Sequence, residues 1–200
     1  VFAPYVDVTL TPDVASLAEQ TGIMHFTLAF LVADASGRPN WGETYAATDP
    51  AVVAPIKALR ALGGDVIVSF GGAAGTELAY STANTDVKQI TEQYLYVIDA
   101  LNVSWVDFDI EGDAIADIPS VDMRNAALAA IKAAKPDLIV SYTLPVDPTG
   151  LLDEGVYVLQ SASNAGLTVD VVNIMTMDYD ETVYTQGATQ MGTYAIQATR

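Results

Sequence analysis

Three acidic residues alternate with apolar residues between Trp105 and Gly112, where the chain reads Trp-Val-Asp-Phe-Asp-Ile-Glu-Gly. Successive side chains of a β-strand point to opposite faces, so Asp107, Asp109 and Glu111 are predicted to share one face. Neighbouring acids would then be about 6–7 Å apart at Cα. Crowding of like charge raises the pKa of at least one of them. A carboxyl group that stays protonated near neutral pH is what general acid catalysis needs.

The same alternation is also typical of a surface strand with a solvated acidic face. The apolar side of this run opposes that interpretation, because Val106, Phe108 and Ile110 are bulky. A strand that buries one face while its acids converge on the other is typical of a lined cavity. A site for Mg²⁺ or Ca²⁺ built from the same acids is a further alternative, since both ions take carboxylate oxygens. Activity that is lost on chelation would favour the metal site.

Composition limits the classes of partner. The 200 residues include 25 acidic and 8 basic ones, and a chain of this size and apolar content can bury one sizeable core. We expect a single domain over residues 1–200. The net charge of −17 disfavours binding to nucleic acids and to anionic membranes, whereas a neutral polysaccharide is compatible with it. The absence of cysteine excludes disulfides and thiolate metal sites. We assign a structural role to His25, the only histidine, which leaves no Ser/His/Asp triad.

Apolar runs rich in β-formers alternate with helical segments along the chain. Strands are predicted at Phe2–Thr9, Met24–Val32, Asp65–Phe70, Ser104–Ile110, Leu138–Leu144 and Val169–Met177. Helices are predicted at Ala51–Ala61, Asp86–Leu101, Val121–Ala134 (with Ser120 as N-cap) and Leu152–Ala165. Such alternation predicts an α/β fold of the (β/α)8 TIM-barrel type. Only about six βα units are counted, so we expect the barrel to be truncated before strands 7 and 8.

The run Ser104–Glu111 closely resembles the DxxDxDxE signature of glycoside hydrolase family 18, which comprises chitinases and related endo-N-acetylglucosaminidases. Three further segments resemble family motifs in the same order: Ser69-Phe70-Gly71-Gly72, Ser141-Tyr142-Thr143-Leu144-Pro145 and Met175-Thr176-Met177-Asp178-Tyr179. The resemblance is closest to bacterial and archaeal-type chitinases with a DFDIE centre. Two positions depart from the signature, since its first Asp is Ser104 here and the following Gly is Trp105. We expect these departures to tune proton sharing among the acids.

The resemblance implies hydrolysis of β-1,4 bonds between N-acetylglucosamine units with retention, the acetamido group of the substrate acting as nucleophile. Glu111 would protonate the glycosidic oxygen and later act as base on water. Asp109 would hydrogen-bond the acetamido N–H and stabilise the oxazolinium intermediate, and Asp107 would share a proton with Asp109. Tyr179 would donate to the acetamido oxygen, with Asp178 steadying the same sugar.

Five further positions are candidate substrate contacts. Gly71 and Gly72 lack side chains, so a sugar or a loop backbone can approach closely there. Trp41 is predicted to lie in the 37–44 loop, where it would stack on a pyranose ring or cover the core. Tyr142 would point into the cavity or pack structurally. Met177 takes the place where many relatives have Tyr.

The implied substrate is chitin or an N-acetylglucosamine oligosaccharide, no cofactor or metal is expected, and a polymeric substrate suggests a secreted protein. Two alternatives belong to the same resemblance: a non-catalytic chitin- or glycan-binding relative, and an endo-β-N-acetylglucosaminidase. The presence of Glu111 favours catalysis. Tight oligosaccharide binding without turnover would favour the binding relative.

Overall fold

A parallel sheet forms the centre of the computed structural model, which describes residues 1–179 and 187–199. The strands of these residues are β1 (Tyr5–Asp7), β2 (His25–Ala33), β3 (Pro39–Trp41), β4 (Tyr45–Ala46), β5 (Asp65–Gly71), β6 (Trp105–Asp109), β7 (Ile139–Asp147), β8 (Gly150–Leu151) and β9 (Val171–Met175). The helices are α1 (Val14–Thr21), α2 (Pro50–Ala61), α3 (Val87–Leu101), α4 (Asp113–Ala116), α5 (Ile118–Ala134), α6 (Asp153–Asn164) and α7 (Ala188–Ala198).

The parallel strands follow the order β1-β2-β5-β6-β7-β9. Each of them pairs with the parallel strand that comes next in the chain. Three short strands are antiparallel additions: β3 pairs with β2, β4 with β3, and β8 with β7. The prediction of a TIM-barrel type α/β fold with about six units is confirmed, and the described strands form a partial barrel. All six predicted strands are present, although β1 covers Tyr5–Asp7 instead of Phe2–Thr9.

The four predicted helices are present with shifted ends, and α1, α4 and α7 lie outside the predicted ranges. The largest shift is at α5, which begins at Ile118 instead of Val121. The prediction that Ser120 caps this helix is wrong. Asp117 is the N-cap, because its carboxylate accepts the backbone N–H of Ser120. Pro119 fits the first turn, because a backbone N–H there would have no acceptor within the helix.

The two faces of β6 are both buried but differ in chemistry. Val106, Phe108 and Ile110 belong to the main hydrophobic core. Phe108 stacks on Phe70 of β5 with ring centroids 5.1 Å apart. Asp107 and Asp109 occupy the opposite face and are also buried. The predicted segregation of acids from apolar side chains is therefore confirmed for the strand. None of the described helices is long and apolar enough to cross a membrane.

Candidate active site

Strand register places the acids of β6 in two rows that cross the sheet. In the first row, Asp107 lies between Ser69 of β5 and Ser141 of β7. In the second row, Asp109 lies between Gly71 and Thr143. Both rows face the interior of the partial barrel, and the second is nearer the carboxyl ends of the strands, where barrel enzymes carry their active sites.

Asp107 is surrounded by hydroxyl groups. Ser69 donates to its Oδ2 at 2.7 Å and Tyr5 to the same oxygen at 2.9 Å. Its Oδ1 accepts from Ser141 at 2.7 Å and from Thr143 at 3.0 Å. Burial raises the pKa of Asp107, and these hydrogen bonds oppose the rise. The carboxyl group is thus held in one orientation by donors from three other strands, β1, β5 and β7.

A count of protons shows that this environment accommodates both forms of Asp107. Its two oxygens form a closed ring with the hydroxyls of Tyr5 and Thr143, which also contact each other at 2.8 Å. The ring has three oxygen–oxygen contacts, but the two hydroxyl groups supply only two protons. A proton on Asp107 completes the ring, and an ionised Asp107 keeps the donors from Ser69 and Ser141. The site can therefore hold or release one proton while only hydroxyl hydrogens turn.

Asp109 has no comparable set of donors. Gly71 has no side chain, and the Thr143 hydroxyl donates to Asp107 instead. Among the described residues, the buried Oδ1 of Asp109 has no hydrogen-bond partner. Burial, followed by the negative charges of Glu111 and Asp107, raises the pKa of Asp109 to about 8. Asp109 is therefore protonated at neutral pH.

Glu111 lies two residues beyond the end of β6 and is half-buried. Burial raises its pKa, and the charge of Asp178 raises it further. Glu111 and Asp109 line one cavity of about 320 Å³, which also includes Gly72 and Tyr80. The site thus presents two carboxyl groups with raised pKa values to a single open space.

The two glycines of the predicted motif have different surroundings. Gly71 has a φ of +99°, and a Cβ there would lie 2.1 Å from the carbonyl oxygen of Asp109. The close neighbour of Gly71 is therefore the backbone of β6. Gly72 donates its N–H to the same oxygen at 2.9 Å and lines the cavity. Any residue larger than glycine at position 71 would displace Asp109.

The structure contradicts two of the predicted substrate contacts. Trp41 belongs to β3 instead of a loop, is fully buried, and donates from Nε1 to the carbonyl oxygen of Ala47 at 3.2 Å. Tyr142 is opposite Phe108 in the register, on the helix-facing side of the sheet. Its hydroxyl donates to Asn125 at 2.6 Å within the core. Neither ring offers a face to a sugar, so both are core residues.

The remaining predicted contacts follow the end of β9. Met177 is 60% exposed. Asp178 lies close enough to Glu111 to influence its charge and has a φ of +49°. Tyr179 is buried beside Val146, and its hydroxyl has no hydrogen-bond partner in the part of the chain that the structure describes. Of these three residues, the structure brings Asp178 to the acids.

The sequence interpretation gave no role to the hydroxyl groups around Asp107. The signal for two of them was present, because Ser141 and Thr143 alternate with Tyr142 just as the acids alternate with Phe108. A further donor, the Nε1 of Trp105, reaches the Ser141 hydroxyl at 2.9 Å. Tyr5 comes from β1, more than 100 residues from Asp107 in the chain, and no local sequence pattern predicts this contact.

The predicted metal alternative finds no support in the geometry. Within residues 1–179 and 187–199, no group of three or more His, Asp or Glu side chains is arranged to hold a metal ion. The oxygens of Asp107 already accept hydrogen bonds from hydroxyl groups.

Comparisons with known proteins agree with one another. The model of the family described as glycosyl hydrolases family 18 matches residues 3–197. The chain is 43% identical over 191 residues to a probable bifunctional chitinase/lysozyme of Escherichia coli (strain K12), covering 92% of this chain and 21% of that protein. It is 41% identical over 189 residues to Endochitinase 11 of Metarhizium anisopliae, covering 92% of this chain and 36% of the relative. The chain thus spans well under half the length of these two relatives.

Solved structures show the same similarity. The catalytic domain of a hyperthermophilic chitinase from Pyrococcus furiosus matches with a TM-score of 0.79 and 35% identity, over 89% of this chain and 57% of that one. Catalytic site mutants of active domain 2 of the thermostable chitinase from that organism, complexed with chito-oligosaccharides, match with a TM-score of 0.80 and 31% identity. That match covers 99% of this chain and 64% of the other.

Proposed function

The chain belongs to glycosyl hydrolase family 18, and from this premise we propose that it hydrolyses β-1,4 bonds between N-acetylglucosamine units of chitin or its oligosaccharides. The observation that carries the proposal is the pairing of Asp109 and Glu111. Both carboxyl groups have raised pKa values and line one cavity at the carboxyl ends of the strands. That arrangement suits an acid-catalysed reaction on a neutral sugar substrate.

We assign the general acid to Glu111, because it is the more accessible of the two carboxyl groups. It would donate its proton to the glycosidic oxygen while the C1–O bond breaks and the acetamido oxygen of the same sugar bonds to C1. Its carboxylate would then take a proton from the water that opens the oxazolinium ring at C1 and restores the acetamido group. The raised pKa keeps the proton on Glu111 at a higher pH than for an ordinary glutamate.

Asp109 and Asp107 would act together on the acetamido group. To accept the acetamido N–H as a carboxylate, which makes the stronger hydrogen bond, Asp109 must lose its own proton, and Asp107 is the neighbouring group that can take it. The ring formed by Asp107 with Tyr5 and Thr143 lacks one proton and gains it in this transfer. The resulting Asp109 carboxylate would stabilise the positive oxazolinium intermediate.

Three residues after β9 complete the proposed sugar contacts. Tyr179 remains the donor that the family resemblance proposes for the acetamido oxygen, although the structure packs its ring beside Val146 and does not bring it to the acids. Asp178, whose charge acts on Glu111, would hold the same sugar. Met177 is exposed and would contribute an apolar contact.

Release of a fluorophore from a chitobiose conjugate tests the proposal. We expect turnover by the wild-type protein and a loss of about 10²- to 10⁴-fold in Glu111→Gln, which keeps the shape of the side chain but cannot donate a carboxyl proton. Glu19→Gln on the exposed surface of α1 is the matched control and should retain full activity. The rate should fall as pH rises through the pKa of Glu111.

Two outcomes would contradict the proposal. Full activity of Glu111→Gln would remove Glu111 from the acid role. Tight binding of chitin oligosaccharides by a folded wild-type protein, without turnover, would favour a non-catalytic glycan-binding relative.

A further inference from the structure

Tyr80 is an exposed aromatic residue at the edge of the candidate active site. It lines the cavity that contains Asp109 and Glu111, and its side chain is 38% exposed. A tyrosine ring has an apolar face and a polar hydroxyl group, so it suits a contact that is apolar on one side and solvated on the other. The three aromatic residues predicted to meet the substrate, Trp41, Tyr142 and Tyr179, are all buried. Tyr80 is thus an aromatic side chain that is open to a ligand beside the acids.

The turn that carries Tyr80 is held by the buried ion pair of Glu77 and Arg124. The carboxylate of Glu77 accepts the backbone N–H of Tyr80 at 3.2 Å and that of Ala79 at 2.8 Å. The same carboxylate accepts from Arg124 of α5 at 2.7 Å and from the Tyr94 hydroxyl of α3 at 2.7 Å. The backbone under the Tyr80 ring is therefore tied to two helices.

A second anchor holds the far side of the same loop. The buried Asn84 donates from Nδ2 to the carbonyl oxygens of Gly37 at 2.8 Å and Leu78 at 2.9 Å. At the near side, Ala33 of β2 donates its N–H to the carbonyl oxygen of Thr76 at 2.8 Å. A ring held on a fixed backbone loses little conformational freedom when it binds a ligand.

Tyr80 also lines a second and larger space. A groove of about 1430 Å³ runs along both sides of the loop, between the β2–β3 segment and the beginning of α5. The residues that line it include acids such as Asp34, Glu43 and Asp122 but neither Lys nor Arg. These acidic side chains disfavour the binding of anionic polymers. Their oxygens can accept hydrogen bonds from the hydroxyl and amide groups of a neutral glycan. Tyr80 is the residue common to the cavity and the groove.

We propose that Tyr80 is a binding residue for the distal sugars of an N-acetylglucosamine oligosaccharide, which pass from the cavity over its ring into the groove. The inference rests on the proposed function, because it takes the reacting sugar to lie at Asp109 and Glu111. Tyr80 thereby sets the preference for longer chains over the disaccharide. Glu77, Arg124 and Asn84 act as positioning residues that fix its loop.

The test compares a short and a long substrate in Tyr80→Ala and Tyr80→Phe. For the tetrasaccharide conjugate, Tyr80→Ala should lower kcat/KM about tenfold, mainly through KM, and Tyr80→Phe should stay within about twofold because the ring remains. On the chitobiose conjugate, which is too short to reach the groove, the loss in Tyr80→Ala should be severalfold smaller than on the tetrasaccharide conjugate. Tyr96→Ala is the matched control, since Tyr96 is 48% exposed on α3 but lines neither space.

Binding measured by calorimetry separates this inference from the proposed function. If wild-type protein does not turn over, the proposed function fails, and the titration then compares unlabelled tetrasaccharide with disaccharide. A tetrasaccharide preference that Tyr80→Ala removes supports the inference in either case. Equal losses on both substrates, no loss on either, or a wild-type protein that binds both sugars equally would overturn it.

Discussion

Two buried polar clusters adjoin the same sheet, one among the side chains of its inner face and one against helices α3 and α5, and they differ in whether a cation is present. The inner cluster, around Asp107 and Asp109, contains hydroxyl donors but no basic side chain. The outer cluster joins Glu77 to Arg124, both buried, with Tyr94 as a further donor.

The difference teaches how surroundings decide what a buried acid can do. Burial alone would lower the pKa of Arg124, but the combined effects of Glu77, Tyr94 and Tyr142 outweigh it, so the pKa of Arg124 is raised and the pair is ionic. The inner acids have no such counter-charge, and burial raises their pKa values. The outer cluster therefore fixes a loop, whereas the inner cluster can exchange a proton with a substrate.

The largest expected effect comes from breaking the outer pair. Arg124→Met leaves Glu77 buried without its cation, and we expect a loss of about 3–5 kcal/mol in the free energy of unfolding, measured in urea. The exposed pair of Lys88 and Glu92, 3.7 Å apart, is the control, and Lys88→Met should cause no measurable loss. A loss below about 1 kcal/mol in Arg124→Met would show that the outer pair is not an anchor.

A smaller change is expected for the inner cluster. At neutral pH, Asp109→Asn should raise the free energy of unfolding, whereas Arg124→Met lowers it. The folded-state pKa of Asp109, about 8, lies above its ordinary value of 3.8. Its contribution to stability is therefore complete below about pH 4 and is lost as pH rises to about 8. Asp109→Asn removes this loss, so its free energy of unfolding should decline less between pH 6 and 8, by on the order of 2–3 kcal/mol, because each pH unit in this window corresponds to about 1.4 kcal/mol. Equal declines in variant and wild type would contradict the raised pKa.

The smallest effect separates the two tryptophans. Trp105→Phe removes the donor to Ser141, which orients a hydroxyl on Asp107, and should cost about 0.5–1.5 kcal/mol in stability and lower kcat severalfold. Trp41→Phe removes a donor to the carbonyl oxygen of Ala47, which is not a partner of Asp107, and should cost a similar stability without changing kcat. The pH dependence of kcat should shift in Trp105→Phe alone. Identical kinetics in the two variants would mean that Trp105 does not position the inner cluster.

The sequence was sufficient for features that depend on local periodicity. The apolar runs predicted the strands, and the alternation around Asp107 predicted which side chains face the barrel interior. The prediction failed where a contact joins distant segments. Trp41 is buried because β3 pairs with β2, which places its ring in the core. The donor from Tyr5 depends on the closure of β1 onto the sheet.

The register between β6 and β7 explains why Tyr142 does not reach the cavity and why Ser141 and Thr143 contact Asp107. Tyr142 was a candidate for the cavity, but its alignment with Phe108 sends it to the helix side. The same alignment brings Ser141 and Thr143 to Asp107. Register between parallel strands is set by packing of the whole sheet, which no single segment specifies.

The central claim is that Asp109 carries a proton at neutral pH because it is buried between two other acids and lacks donors. The most direct measurement is the ¹³C NMR titration of aspartate carboxyl groups, with the Asp109 signal identified by its absence in Asp109→Asn. We predict a midpoint near 8 for that signal. A midpoint below about 5, as for an ordinary aspartate, would contradict the account of the site.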